Sequence, residues 1–135
     1  MKARVMTVSQ PDVWLWLPTD DQKTESAVKS ASEQLQITYH RIDAAVAEEK
    51  IAAILSGTAA RKENAVGPDE SVLLMDGIDR KLLDSFLSTL RICCAENEAR
   101  SPALKAVVTP TNRSWRFIDL AEELKKERAE FSKQR

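Results

Sequence analysis

The chain has 135 residues, 43% of them hydrophobic and 30% charged, enough apolar side chains for one core in a domain of common size. Its 20 basic and 21 acidic side chains leave a net charge of −1, so the basic excess of a nucleic-acid binder is absent. No apolar run approaches the ~18 residues of a membrane span, and no signal-peptide core follows Met1-Lys2-Ala3-Arg4, which gives the expectation of a cytoplasmic protein with no membrane partner.

Residues 1–10 hold Val5, Met6 and Val8, enough for an N-terminal edge strand or an arm. Val13-Trp14-Leu15-Trp16-Leu17, stopped by Pro18, reads as the first core strand. Trp14 and Trp16 share one face and Leu15 and Leu17 the other, so both faces are apolar and the strand is central. The tryptophans read as core or as an exposed pair for a ligand or partner. Thr19-Asp20-Asp21 supplies caps for a helix over about 21–35, whose apolar side is thin: Ala27, Val28, Ala31 and Leu35.

Ile37 to Ile42 alternates and predicts a second strand, with His40 inside it as a structural position rather than a catalytic one. Asp43 caps a helix bearing Ala47, Ile51, Ile54 and Leu55, and Gly57 ends it. Residues 58–70 are small and polar and predict a flexible loop. Ser71-Val72-Leu73-Leu74-Met75 is a strand covered on both faces, ended by Asp76-Gly77. Asp79 then caps the strongest helical stripe, Leu82, Leu83, Phe86, Leu87, Leu90 and Cys94.

Leu104 to Val108 predicts the last strand, and a final helix over about 114–132 turns Phe117, Leu120, Ala121, Leu124 and Phe131 inward. A Glu122–Lys126 pair supports its outer side. The sum is a single α/β domain over 1–135 in the order βαβαβαβα, a mostly parallel four-stranded sheet with helices on both faces. The stretches to Gly57 and from Asp69 each read as a βαβα unit, and their sequences do not match.

Chemistry concentrates at one predicted strand-to-helix turn, Thr109-Pro110-Thr111-Asn112-Arg113-Ser114-Trp115. Hydroxyls, an amide, a cation and the free amides of a helix start converge there, a setting for a phosphate or carboxylate. A structural turn explains the same residues, with Pro110 fixing it, Asn112 or Ser114 capping and Trp115 packing over the joint. A protein contact centred on Trp115 and Arg113 is the third reading. The candidate binding residues are Thr109, Thr111, Asn112, Arg113 and Trp115, joined by Asp76. With the strand ends clustered, Asp20, Asp76 and Thr109 line one crevice.

Cys93 and Cys94 are adjacent and with one histidine make no zinc site, so they read as reduced thiols near a helix end. Glycines stand only at 57, 67 and 77, which leaves no phosphate loop or dinucleotide fingerprint. No catalytic residue, metal or cofactor is indicated.

Leu104-Lys105-Ala106-Val107-Val108-Thr109-Pro110-Thr111-Asn112, Trp115, and Leu120 to Glu127 resemble the C-terminal signature of a bacterial family of small proteins, domain of unknown function 3783. Val72 to Gly77 with its Leu-rich helix is similar to that family too; Arg128 departs from it, where a histidine is common. The resemblance implies the fold boundaries and the importance of the 109–115 turn, and no activity. The expected function is a non-catalytic binding module acting through that turn on a protein partner or a small anionic ligand. The alternatives are an enzyme of unknown reaction using Asp76 or Asp20, and a self-associating structural protein, a homodimer built on the thin first helix or around Trp14 and Trp16.

Overall fold

The computed structural model describes residues 10–133. The arm or edge strand expected over 1–10 lies outside them, apart from Gln10. Four strands, β1 (Asp12–Trp16), β2 (Thr38–Arg41), β3 (Val72–Asp76) and β4 (Leu104–Val107), form one sheet in the order β2-β1-β3-β4. The pairs β1–β2 and β3–β4 are parallel, as expected, and the central pair β1–β3 is antiparallel, with Trp14 opposite Leu74 and Asp12 opposite Asp76.

Helices α1 (Gln22–Gln34) and α3 (Arg80–Asn97) cover one face; α2 (Ile51–Ser56) and α4 (Phe117–Lys133) cover the other. The period of the two central strands decides the split. Val13, Leu15, Leu73 and Met75 point toward α1 and α3, while Trp16, Val72 and Leu74 point toward α2 and α4. Fully buried Phe86 and Phe117 anchor the two layers, each worth about 1.5–3 kcal/mol of burial. The thin stripe of α1 is buried at Ala27, Val28 and Ala31, because small side chains let α1 lie close against α3 and the sheet.

Local signals placed the helix ends. Asp21 accepts from the Thr24 amide at 3.1 Å, Asp79 from the Leu82 amide at 2.8 Å, and Gly57 takes the left-handed φ of 79° after α2. Two of the expected helices are broken instead of continuous. A 3-10 turn, Ala44–Val46, precedes α2, and another, Asn112–Ser114, precedes α4. Between turn and helix, Lys50 and Arg116 run extended and pair antiparallel. The Ile51 amide donates to the Trp115 carbonyl at 2.9 Å, and the Phe117 amide to the Glu49 carbonyl at 3.0 Å. A helix's first amides have no partner within the helix; here the first amide of α2 and that of α4 are each satisfied by the chain leading into the other.

Phe131, expected inside, is 67% exposed. Beyond Leu124, α4 rides on residues 69–70 rather than on the sheet, held by Lys125–Asp69 at 3.0 Å and Arg128–Glu70 at 2.8 Å. Glu122 lies 3.9 Å from Lys125 rather than pairing with Lys126. Residues 58–70 are irregular, and they are tethered: Trp16 Nε1 donates to the Pro68 carbonyl at 2.9 Å and the Lys62 amide to the Ala45 carbonyl at 2.9 Å.

Candidate functional site

The turn from β4 to α4 is knotted by its own side chains. The Thr109 amide donates to Asn112 Oδ1 at 2.9 Å, the Asn112 amide returns a bond to Thr109 Oγ1 at 3.1 Å, and Asn112 Nδ2 donates to the Val107 carbonyl at 3.1 Å. Asn112 is buried, so its amide group is committed inside the turn. Ser114 Oγ donates to the Thr111 carbonyl at 3.2 Å. The backbone of Trp115 is fixed on both sides: its amide donates to Asn112 and its carbonyl accepts from Ile51.

Apart from Thr109, whose hydroxyl is tied into the knot, three of the candidate binding side chains of the turn face the surface. Thr111 is exposed, Arg113 is exposed, and Trp115 is 36% exposed despite being a large apolar side chain. Arg113 reaches across the strand ends to Asp76, with Nη2 3.3 Å from Oδ1. Asp76 and the turn therefore do meet, because β3 and β4 run parallel and end together. Asp20 does not join them. β1 is antiparallel to β3, so the residues after Trp16 leave from the end of the sheet where β3 begins. The single crevice expected from three clustered strand ends is not formed, and Asp21 rather than Asp20 caps α1. Trp115 lines a shallow concavity of about 440 Å³ with Ser114, Arg116, Asp119 and Glu123. Arg116 Nε and Asp119 Oδ2, 3.0 Å apart, form its charged wall.

Of the surfaces considered for self-association, Ala27, Val28 and Ala31 of α1 are buried and Trp16 is 8% exposed, while Leu35 and Trp14 are half-buried. Trp14 stacks on His40, ring centroids 4.0 Å apart and planes within 12°, and His40 Nε2 lies 2.9 Å from Asp12 Oδ1. The sequence placed His40 in a strand without finding these partners. The signal was available only through register, since parallel pairing sets Trp14 beside His40.

Cys93 and Cys94 are free, buried thiols in the last turns of α3. Among the described residues, no group of three or more His, Cys, Asp or Glu side chains is placed to hold a metal ion, and no helix is long and apolar enough to cross a membrane.

Residues 71–131 match the family model of a domain of unknown function, DUF3783, so the resemblance seen in the sequence holds over that stretch. No curated protein and no solved structure matches the chain. The matched stretch begins at the residue before β3 and ends within α4; it contains the knotted turn and the Asp76–Arg113 pair.

Proposed function

We propose that this is a non-catalytic binding module whose contact surface is the β4–α4 turn and whose partner is a protein. The observation carrying this reading is Trp115: a large aromatic side chain left partly in solvent on a turn whose backbone is held from both sides. Rigid, exposed aromatic and arginine side chains are the residue types that dominate interface energies, with typical hot-spot losses of ~2 kcal/mol or more on truncation. Thr111 and Arg113 extend the surface on one side and the Arg116–Asp119 pair on the other. Asp76 acts behind it by orienting Arg113.

A small anion is the weaker occupant. The Arg113 charge is already met by Asp76 at 3.3 Å, and the Asn112 amide that would bind an anion is turned inward. The enzyme reading loses the Asp20 carboxylate from this end of the sheet, and keeps only Asp76, which is engaged by Arg113.

The test is site-specific photocrosslinking in cells that make the protein. A photoreactive residue at Ser114 should give a discrete protein adduct. The same residue at exposed Ile92, on the α1/α3 face, should not, and Trp115→Ala should abolish the Ser114 adduct while leaving the fold intact. An adduct that survives Trp115→Ala, or equal yields from both positions, would overturn the proposal.

A further inference from the structure

A second concavity lies on the α1/α3 face, at the β4 edge of the sheet, well away from the turn that carries Trp115. It is an open concavity of about 510 Å³ between α3 and β4, within the size range of small-ligand pockets. Leu87 and Leu90 from α3 and Ala99 from the following loop give it an apolar floor, and Cys94 stands beside them. Lys105 from β4 and Arg91 from α3 bring two cations to it, and no carboxylate lines it.

What sets these two cations apart is the apolar concavity they share without a carboxylate. Arg41, Arg61, Lys62, Arg113, Arg116, Lys125 and Arg128 each lie against a carboxylate. Among the described residues, Lys105 and Arg91 have none; Lys105 Nζ donates only to the Pro102 carbonyl at 3.1 Å. Loss of hydration around its amine draws the Lys105 pKa below the ordinary lysine value, and the single charged influence on it comes from Cys94. That thiol is itself pushed up by burial and so stays neutral, leaving Lys105 without a counter-ion. Lys105 and Arg91 are both exposed, so an incoming anion can reach them. An ammonium that has lost part of its water without gaining a carboxylate favours that anion, and an apolar floor beside it favours a ligand with a hydrocarbon part.

We propose that the α3–β4 cavity binds a small organic carboxylate bearing an apolar chain, the carboxylate against Lys105 and Arg91 and the chain over Leu87, Leu90 and Ala99. This site is independent of the Trp115 surface. Cys94 contributes a neutral wall.

The probe is hexanoate, with 1-hexanol as the uncharged control, each titrated into the full ¹⁵N-labelled chain and followed by amide shifts. Hexanoate should give saturable shifts confined to residues 87–105, with an affinity about tenfold or more above that of hexanol. Lys105→Met should reduce hexanoate affinity about tenfold and leave hexanol binding unchanged, and Arg91→Gln, at an exposed helix position, should act in the same direction. Equal binding of acid and alcohol, shifts outside this segment, or no saturation would overturn the proposal. So would hexanoate affinity unchanged in both variants. The acid–alcohol comparison uses the unaltered protein and stands even if a variant fails to fold.

Discussion

Replacing Asn112 with alanine separates a structural knot from a ligand-binding amide. The side chain satisfies the Thr109 amide at 2.9 Å and the Val107 carbonyl at 3.1 Å. Each bond is worth ~1 kcal/mol net, and an abandoned backbone group costs a further ~1 kcal/mol or more where water cannot reach it. Thr109 is exposed and can recruit water; Val107 is half-buried and recovers less. The expected loss for Asn112→Ala is therefore ~2–3 kcal/mol. With a urea m-value of ~1.5 kcal/mol/M, the unfolding midpoint falls by ~1.3–2 M at constant m. Asn112→Asp sharpens the test. It keeps the oxygen that Thr109 needs but turns a second oxygen, in place of the donor, toward the Val107 carbonyl. At neutral pH it should cost at least as much as alanine, although it is nearly isosteric. A loss under ~0.5 kcal/mol for alanine, or a tolerated aspartate, would refute the assignment of this amide to the turn.

The remaining predictions probe other joints. Glu25 accepts from Tyr39 Oη at 2.8 Å and pairs with Arg41 at 3.2 Å, and the tyrosine bond chiefly holds its pKa below the ordinary 4.5. Burial, then Glu25, raises the pKa of Tyr39 above its ordinary 10.0. The Glu25 contribution is thus present above its unfolded pKa and lost as pH falls through the lower folded value, while that of Tyr39 is full below its unfolded pKa and lost as pH rises above it. Glu25→Gln should flatten the acid limb of a stability–pH profile and Tyr39→Phe the alkaline limb; an unchanged profile in both would refute the coupling. Gly67→Ala should destabilise by ~1–3 kcal/mol, because a Cβ there would lie 2.3 Å from the Trp16 ring; thermal unfolding checks this, and an unchanged Tm would show that the loop moves freely off the tryptophan. His40→Ala should cost ~0.5–1.5 kcal/mol through loss of the Trp14 stack and alter tryptophan fluorescence, whereas His40→Phe should retain more stability; equal losses would assign the contribution to the Asp12 bond instead.

Features written in adjacent residues were legible. Asp21, Asp79 and Gly57 mark helix ends through bonds or dihedrals confined to a few positions, and the doubly apolar runs at Val13 and Val72 identify the central strands. Features that depend on the far half of the chain were not. Nothing beside Lys50 or Arg116 announces that each must stay extended to pair with the other, so the helical stripes through Ile51 and Phe117 looked continuous with the turns before them. Strand direction is similarly remote: the antiparallel β1–β3 ladder separates Asp20 from Asp76, and no residue near either states it. At the turn, the composition Thr-Pro-Thr-Asn-Arg-Ser-Trp served an anion site, a joint and a contact surface equally. The composition does not state the direction of the Asn112 amide, which bonds inside the turn while Thr111, Arg113 and Trp115 face outward.

The stretch matched by the family model, residues 71–131, is half of this architecture. Taken by itself it would present the β3 edge that β1 now pairs, the face of α3 that α1 now covers, and a Phe117 amide that Glu49 now satisfies. The first half supplies all three with the same elements in the same order: a strand apolar on both faces, a helix, a parallel strand, then a 3-10 turn leading to a helix. Both junctions along the seam, β1–β3 and Lys50–Arg116, are antiparallel, so each half offers the other equivalent backbone groups. Backbone pairing and small apolar contacts tolerate wide sequence change. That explains how two halves without matching sequences complete one sheet. The second half alone carries the turn that closes its own hydrogen bonds through Asn112.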